Sequence, residues 1–203
     1  MSQQATFRPL LDQRDRNKTM TKEDIKVHKI DLCGREEFLP VLSIAKGVSI
    51  AFLNLHGNVD LTEFCAAQLA NKLSGAEVIL TAESKGLQLG HCVARNLGHK
   101  FYAVARKTKK LYMQDGIETE VKSITTAERQ HLYLSKRDAE LLKGKKVAIV
   151  DDVISTGGIL CGLEKLVSLA GGELVCKACV LVEGDSCERG DIVSLGKIPI
   201  FRE

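Results

Sequence analysis

Twelve residues, Val147-Ala-Ile-Val-Asp-Asp-Val-Ile-Ser-Thr-Gly-Gly158, hold the densest chemistry in the sequence. Four apolar residues predict a buried strand. Two adjacent carboxylates follow where that strand leaves its sheet, and a hydroxyl- and glycine-rich turn then opens a helix. Gly157 and Gly158 let backbone N–H groups approach an anion with no Cβ in the way. The N-terminus of the following helix adds unpaired donors and a favourable dipole. Ser155 and Thr156 add hydroxyls, which completes a monophosphate cradle. Asp151 and Asp152, on the same edge, can accept hydrogen bonds from vicinal hydroxyls. Acids on one side and a cradle on the other suit a ribose 5-phosphate. An Asp that merely caps a helix accounts for one acid, not for two acids followed by Ser-Thr-Gly-Gly. Neither a P-loop nor a dinucleotide fingerprint is present. A receiver-type acidic pocket would also start from paired acids, but it needs no such cradle.

The elements that must hold these residues alternate. Val78–Thr81, Phe101–Ala105, Lys145–Val150 and Leu174–Val182 read as strands. Between them, Gly86–Leu97 and about Ile159–Ala170 have helical apolar spacing. Asp60-Leu-Thr-Glu63 resembles a capping box that opens a helix to Leu73. Strands alternating with helices predict an α/β fold, a parallel sheet with helices on its faces. Right-handed crossovers place the strand C-termini on one edge, where such sheets bind ligands. Two stretches break the alternation. Residues 20–59 carry the strand-like pieces Lys26–Leu32 and Val48–Leu55, and residues 108–140 form a long polar insertion of the kind that serves as a lid. Residues 1–19 read as a tail and 20–203 as one domain.

Composition sets the outer bounds. The 203 residues are 44% hydrophobic and 27% charged, enough for a full core, and the net charge of +3 is too small to argue for nucleic acid. The longest stretch free of Asp, Glu, Lys and Arg is the 13 residues Gly47–Val59, short of the about 20 that a membrane-spanning helix needs. The polar N-terminus lacks the apolar core of a secretory signal. Seven cysteines, an odd number, with several inside apolar patterns, predict packed thiols in a reducing, cytoplasmic setting. The Cys176-x-x-Cys179 pair lies in a strand-like run with no second pair to complete a zinc site.

With these motifs in place, the chain resembles the type I phosphoribosyltransferases, which bind 5-phosphoribosyl-1-pyrophosphate (PRPP). The strand, two acids and Thr-Gly turn match their hallmark. Leu80-Thr-Ala-Glu-Ser-Lys-Gly86 looks like the pyrophosphate loop of the purine branch, and Val104-Ala-Arg-Lys-Thr-Lys-Lys-Leu111 like the basic segment of adenine members. The likeness runs from about Val48 to Glu183.

The resemblance implies roles. Ser155, Thr156, Gly157, Gly158 and the Ile159 backbone hold the 5′-phosphate; Asp151 and Asp152 hold the ribose hydroxyls. Glu83, Ser84, Lys85 and Gly86 line the pyrophosphate pocket, joined by Arg106, Lys107 and Lys109. Mg²⁺ bridges pyrophosphate and ribose oxygens, reaching the protein mostly through water near Asp151 and Asp152. A lid over 108–140 excludes water from an oxocarbenium-like centre, and Glu128 is the nearest match to a loop glutamate implicated in proton transfer. The 20–59 segment contributes to a hood over the base. Val153 and Ile154 pack on a flat purine ring, and Asn54 either bonds a base edge or closes a turn.

Two departures bear on the base. The loop carries Lys85 where many adenine enzymes have Arg, a point charge in place of a bidentate fork. The strand end Val182-Glu-Gly-Asp185 lacks the basic residue of xanthine enzymes, which favours adenine. The expected activity is purine phosphoribosyl transfer in salvage, by a homodimer. The rivals are xanthine or another base, a pyrimidine or other nucleophile, and a non-catalytic PRPP-sensing regulator; the regulators of this branch carry a winged helix before the fold, and no such pattern precedes Val48.

Overall fold

The computed structural model describes residues 26–121 and 130–202. Its centre is the run predicted to be a buried strand. Val147, Ala148, Ile149 and Val150 are wholly buried within β8 (Lys146–Ile154), and every residue of the neighbouring β4 (Val78–Ala82) is buried. Strands covered on both faces read as unbroken apolar runs, which is why these two were legible. With β5 (Ala103–Ala105), β9 (Glu173–Glu183) and β10 (Val193–Ile198) they form a five-stranded sheet in the order β10-β9-β8-β4-β5. All neighbouring pairs in it are parallel, as the alternation predicted.

Helices cover both faces. α1 (Val59–Ala70) and α2 (Gly86–Asn96) bury Leu61, Cys65, Leu69, Leu89 and Val93 in one core cluster with Ala148 and Val150. α4 (Gly158–Leu169) buries Leu160, Leu163 and Leu166 in a second cluster with Val147 and Ile149. A short α3 (Lys136–Leu142), capped by the Ser135 hydroxyl on the Asp138 N–H, precedes β8.

The start of α1 corrects the expected cap. Asn58, not Asp60, is the N-cap: its Oδ1 accepts the Leu61 N–H at 3.1 Å. Asp60 sits in the first turn and pairs with Arg35 at 2.7 Å. A carboxylate in the first turn still complements the helix dipole, so the sequence signal was real but two residues out of place.

The two stretches outside the alternation form small antiparallel sheets. β1 (Val27–Leu32), β2 (Arg35–Ala45) and β3 (Val48–Ala51) join β11 (Ile200–Arg202) in the order β1-β2-β3-β11. The second strand-like piece thus stops at Ala51, four residues short of the expected Leu55. Within the insertion, β6 (Ile117–Val121) and β7 (Gln130–Leu134) pair as a hairpin and bury Val121, Leu132 and Leu134 in the core cluster of α4. Paired N–H···O bonds between Arg106 and Tyr133, both 2.8 Å, tie that hairpin to the end of β5.

No helix among the described residues is long and apolar enough to cross a membrane. All seven cysteines are free. Cys176 and Cys179 lie in β9, three residues apart and so on opposite faces of the strand. Burial pushes the thiols of both above the usual range.

Candidate active site

Two cavities meet at the C-terminal edge of the parallel sheet. The larger, about 440 Å³, is lined by Ile50–Leu53, Ala82–Lys85, Lys107, Asp151–Val153, Ser155, Ile159 and Glu183. The smaller, about 160 Å³, is lined by Asp151 and Val153–Leu160. Shared walls at Asp151, Val153, Ser155 and Ile159 make them adjoining compartments.

The smaller compartment is the predicted phosphate cradle, and all five residues assigned to it line its wall. Gly157 is the N-cap of α4 with φ +77°, a conformation that side chains rarely adopt. The segment after β9 supports this turn from behind. Buried Ser186 donates its hydroxyl to the Ser155 carbonyl. Arg189, clasped by Asp191 through Nε at 3.0 Å and Nη2 at 2.8 Å, stands against Gly157. Lys177 joins Asp191 to Glu164 of α4. The two cations hold the Asp191 carboxyl well below the usual carboxylate range. These supports went unread in the sequence, because no local pattern links residues 155–164 to 177–191.

The acids sit inside β8, not beyond it. The strand runs on to Ile154, still paired to β9, whereas its pairing with β4 ends at Ile149. The edge toward β4 is therefore open from Val150 onward, and this opening is where the acids meet the pyrophosphate loop. Asp152 is buried and pairs with Lys85 at 3.6 Å. That pair spans two groups assigned to the site. Asp151 accepts the Asp152 N–H at 2.9 Å. Asp151 is half-buried and lines both compartments. Burial first, and then the Asp152 charge, push the Asp151 carboxyl up to about 7, against the pull of the Asp152 N–H and Lys107.

The proton therefore binds the folded state more tightly than the unfolded one. The ligand-free protein is expected to lose stability as pH rises from about 4 to about 7, with no further loss from this group above that window. Thermal melts from pH 4 to 8 check this. Asp151→Asn is expected to flatten the slope; an identical slope in the variant removes Asp151 as its source.

Glu83, Ser84 and Lys85 all line the larger cavity. Glu83 is also bonded: its Oε2 accepts Arg106 Nη1 at 3.1 Å and its Oε1 accepts the Lys107 N–H at 2.8 Å. Glu83 thus fastens the basic segment to the loop, and Arg106 is spent on that contact. Lys107 lines the large cavity beside Ser84 and Lys85. Lys109 is exposed and lines neither compartment. The Glu83–Ser84 peptide bond is cis. Gly86 opens α2 at a point with no room for a side chain. A Cβ there would lie 2.4 Å from Thr81 Oγ1 and 2.9 Å from Asp151 Oδ1.

On the remaining wall the structure revises the base contacts. Val153 faces both compartments. Ile154 lines only the smaller one and is packed into the core beside Leu160. Asn54 takes the second of its two readings: its Oδ1 accepts the His56 N–H at 3.1 Å and closes a turn, and it is absent from the cavity wall. Phe52, missed in the sequence, stands in the wall with Lys85 Nζ 4.5 Å from its ring centroid. It is the one aromatic in Val48–Leu55, a signal that was available. Glu183, also missed, ends the apolar run of β9 as Asp151 and Asp152 follow that of β8. Glu128 lies outside the described residues.

Paired acids and a glycine cradle at one edge of a parallel sheet, beside a small antiparallel sheet, define an α/β protein built to hold a phosphorylated sugar. The chain matches the phosphoribosyl transferase domain over residues 53–193, and it belongs to that family. It is 30% identical over 149 residues to a xanthine phosphoribosyltransferase of Exiguobacterium, covering 72% of this chain and 76% of that one. It is 34% identical over 123 residues to an adenine phosphoribosyltransferase of Thermosipho melanesiensis, covering 60% and 67%. The crystal structure of adenine phosphoribosyltransferase from Thermoanaerobacter pseudethanolicus shares the fold, with a TM-score of 0.63 and 24% identity over 87% of this chain and 99% of that one.

Proposed function

We propose that the protein transfers the 5-phosphoribosyl group of PRPP to a purine base, most readily adenine, in purine salvage. The observation that carries this reading is the continuity of the two compartments. The smaller takes the 5′-phosphate, and the larger extends from Asp151 and Asp152 to a basic loop on one side and an apolar wall on the other. In the transfer, a base nitrogen forms the bond to the ribose anomeric carbon, the bond from that carbon to pyrophosphate breaks, and the ring proton of the base passes to water. Lys85 and Lys107 receive the anionic leaving group. Asp151 and Asp152 hold the ribose diol and face the cationic centre that develops beside it. Phe52 and Val153 offer apolar surface to a flat ring.

Named relatives act on xanthine as well as adenine. What supports adenine here is Glu183, an acid at the end of β9 that stands in the cavity wall.

Mg²⁺ fits the donor set in one way only. Among the described residues no cluster of three His, Cys, Asp or Glu side chains forms a protein cage. Two carboxylates beside a pyrophosphate suit an ion that keeps most of its water, so Asp151 and Asp152 would hold it through water. Bound there, it would supply charge neutralisation to the pyrophosphate. We also place the working enzyme as a cytoplasmic homodimer, on the likeness to its family.

Pyrophosphate release with adenine, hypoxanthine, guanine and xanthine, in the presence of PRPP and Mg²⁺, tests the reading. Turnover with adenine is the expected result. A folded protein that binds PRPP but turns over none of the four would overturn it, and loss of activity on chelation, restored by Mg²⁺, is expected of the cofactor.

A further inference from the structure

Glu183 is more than nine-tenths buried, and it has no hydrogen-bond or ion-pair partner among the described residues. Neither of its oxygens is both enclosed and unpartnered, so the carboxylate is open to the cavity rather than sealed in the core. Of the two cations that line this cavity, Lys85 pairs with Asp152, and among the described residues Lys107 makes no ion pair with Glu183. The sheet fixes where the residue stands. It is the last residue of β9, opposite Ile198 of β10 and one step beyond the Val182–Ile154 pair with β8. Its neighbours in the cavity wall include Ala51, Phe52, Leu53 and Val153. An acceptor in a wall that also carries this apolar surface can orient a flat, mostly apolar ligand by a polar contact.

We propose that Glu183 is a specificity-determining residue that accepts a hydrogen bond from the exocyclic amine of a 6-aminopurine and disfavours 6-oxopurines. The inference rests on the phosphoribosyl-transfer reading of the same site. An ionised carboxylate only accepts hydrogen bonds. The 6-amino group supplies N–H donors, so the pair is satisfied. A 6-oxo group in the same place sets acceptor against acceptor and leaves both unpaired in a low-dielectric wall. Sites that bond a polar substituent discriminate far more strongly than apolar pockets do.

The test compares kcat/KM for adenine, hypoxanthine and xanthine in the full-length protein and in Glu183→Gln, with PRPP affinity measured by calorimetry. Gln can both donate and accept. The variant is expected to lose about 10-fold or more in kcat/KM with adenine and to lower the adenine-to-hypoxanthine ratio about 10- to 100-fold. Its PRPP affinity is expected to stay within about twofold of the parent, since Glu183 lies outside the phosphate compartment. An unchanged base ratio overturns the proposal, as does a parent enzyme that prefers 6-oxopurines. Glu183→Asp, which keeps the charge but withdraws it by one methylene, makes the same comparison if the Gln variant does not fold; it is expected to weaken adenine use, and unweakened use counts against the proposal. A parent protein that binds PRPP yet turns over no purine defeats the transfer reading itself, a result distinct from an unchanged ratio in an active enzyme.

Discussion

Asp151→Asn combined with Asp152→Asn is expected to lower turnover by at least about 10³-fold while the protein remains folded. Each carboxylate is lost as an acceptor for the ribose hydroxyls and as a negative charge beside the developing cation, and removing one preorganised electrostatic group commonly costs about 10²–10³-fold. Stability should not follow activity down. The Asp151 carboxyl is pushed up to about 7 by burial and by the Asp152 charge, so its ionised form is a burden on the ligand-free fold above neutral pH. Asn at 151 relieves that burden. Asn at 152 removes the ion pair to Lys85, which is 42% exposed at its side chain and therefore worth little. The measurements are pyrophosphate release and thermal melts at pH 8. Near-normal activity in the double variant would contradict the ribose-holding role.

Gly86→Ala is expected to damage both fold and activity. The new methyl would meet Thr81 Oγ1 at 2.4 Å and Asp151 Oδ1 at 2.9 Å. Thr81 is wholly buried in β4, and its branched side chain has little freedom to turn away. The start of α2 must shift instead, and residues 83–85 shift with it. Overpacking of this kind costs about 1–3 kcal/mol, or roughly 2–12 °C in melting temperature for a chain of this size. Displacing Lys85 and Ser84 by about 1 Å is expected to cost about 10²-fold in turnover. Gly75→Ala is the control, because nothing lies within 4 Å of its Cβ position. Equal behaviour of the two variants would show that the packing at Gly86 yields.

Much of the fold was legible because its signals are local. A central parallel strand is apolar at every position, so β4 and β8 announced themselves. The cradle was legible for the same reason: glycines, hydroxyls and a helix start must be contiguous to wrap one phosphate. Less of the cavity wall was readable. Phe52 stands in an ordinary apolar run, and its place in the wall follows from its approach to Lys85, 33 positions further on. Glu83 was assigned to pyrophosphate on motif alone, yet its carboxylate binds Arg106 and the Lys107 N–H, groups delivered by a different strand.

The amino-acid order alone therefore determined the alternating architecture, the phosphate cradle and the pair of acids, because each depends on neighbours within one turn or one strand. Only the tertiary structure decided that β11, near the C-terminus, joins β3 and the N-terminal sheet, that Asp152 faces Lys85, and that Glu183 stands in the same cavity wall as both acids. Pairing across a sheet and the burial of a charge are set by groups distant in the chain, and no local periodicity records which of them will meet.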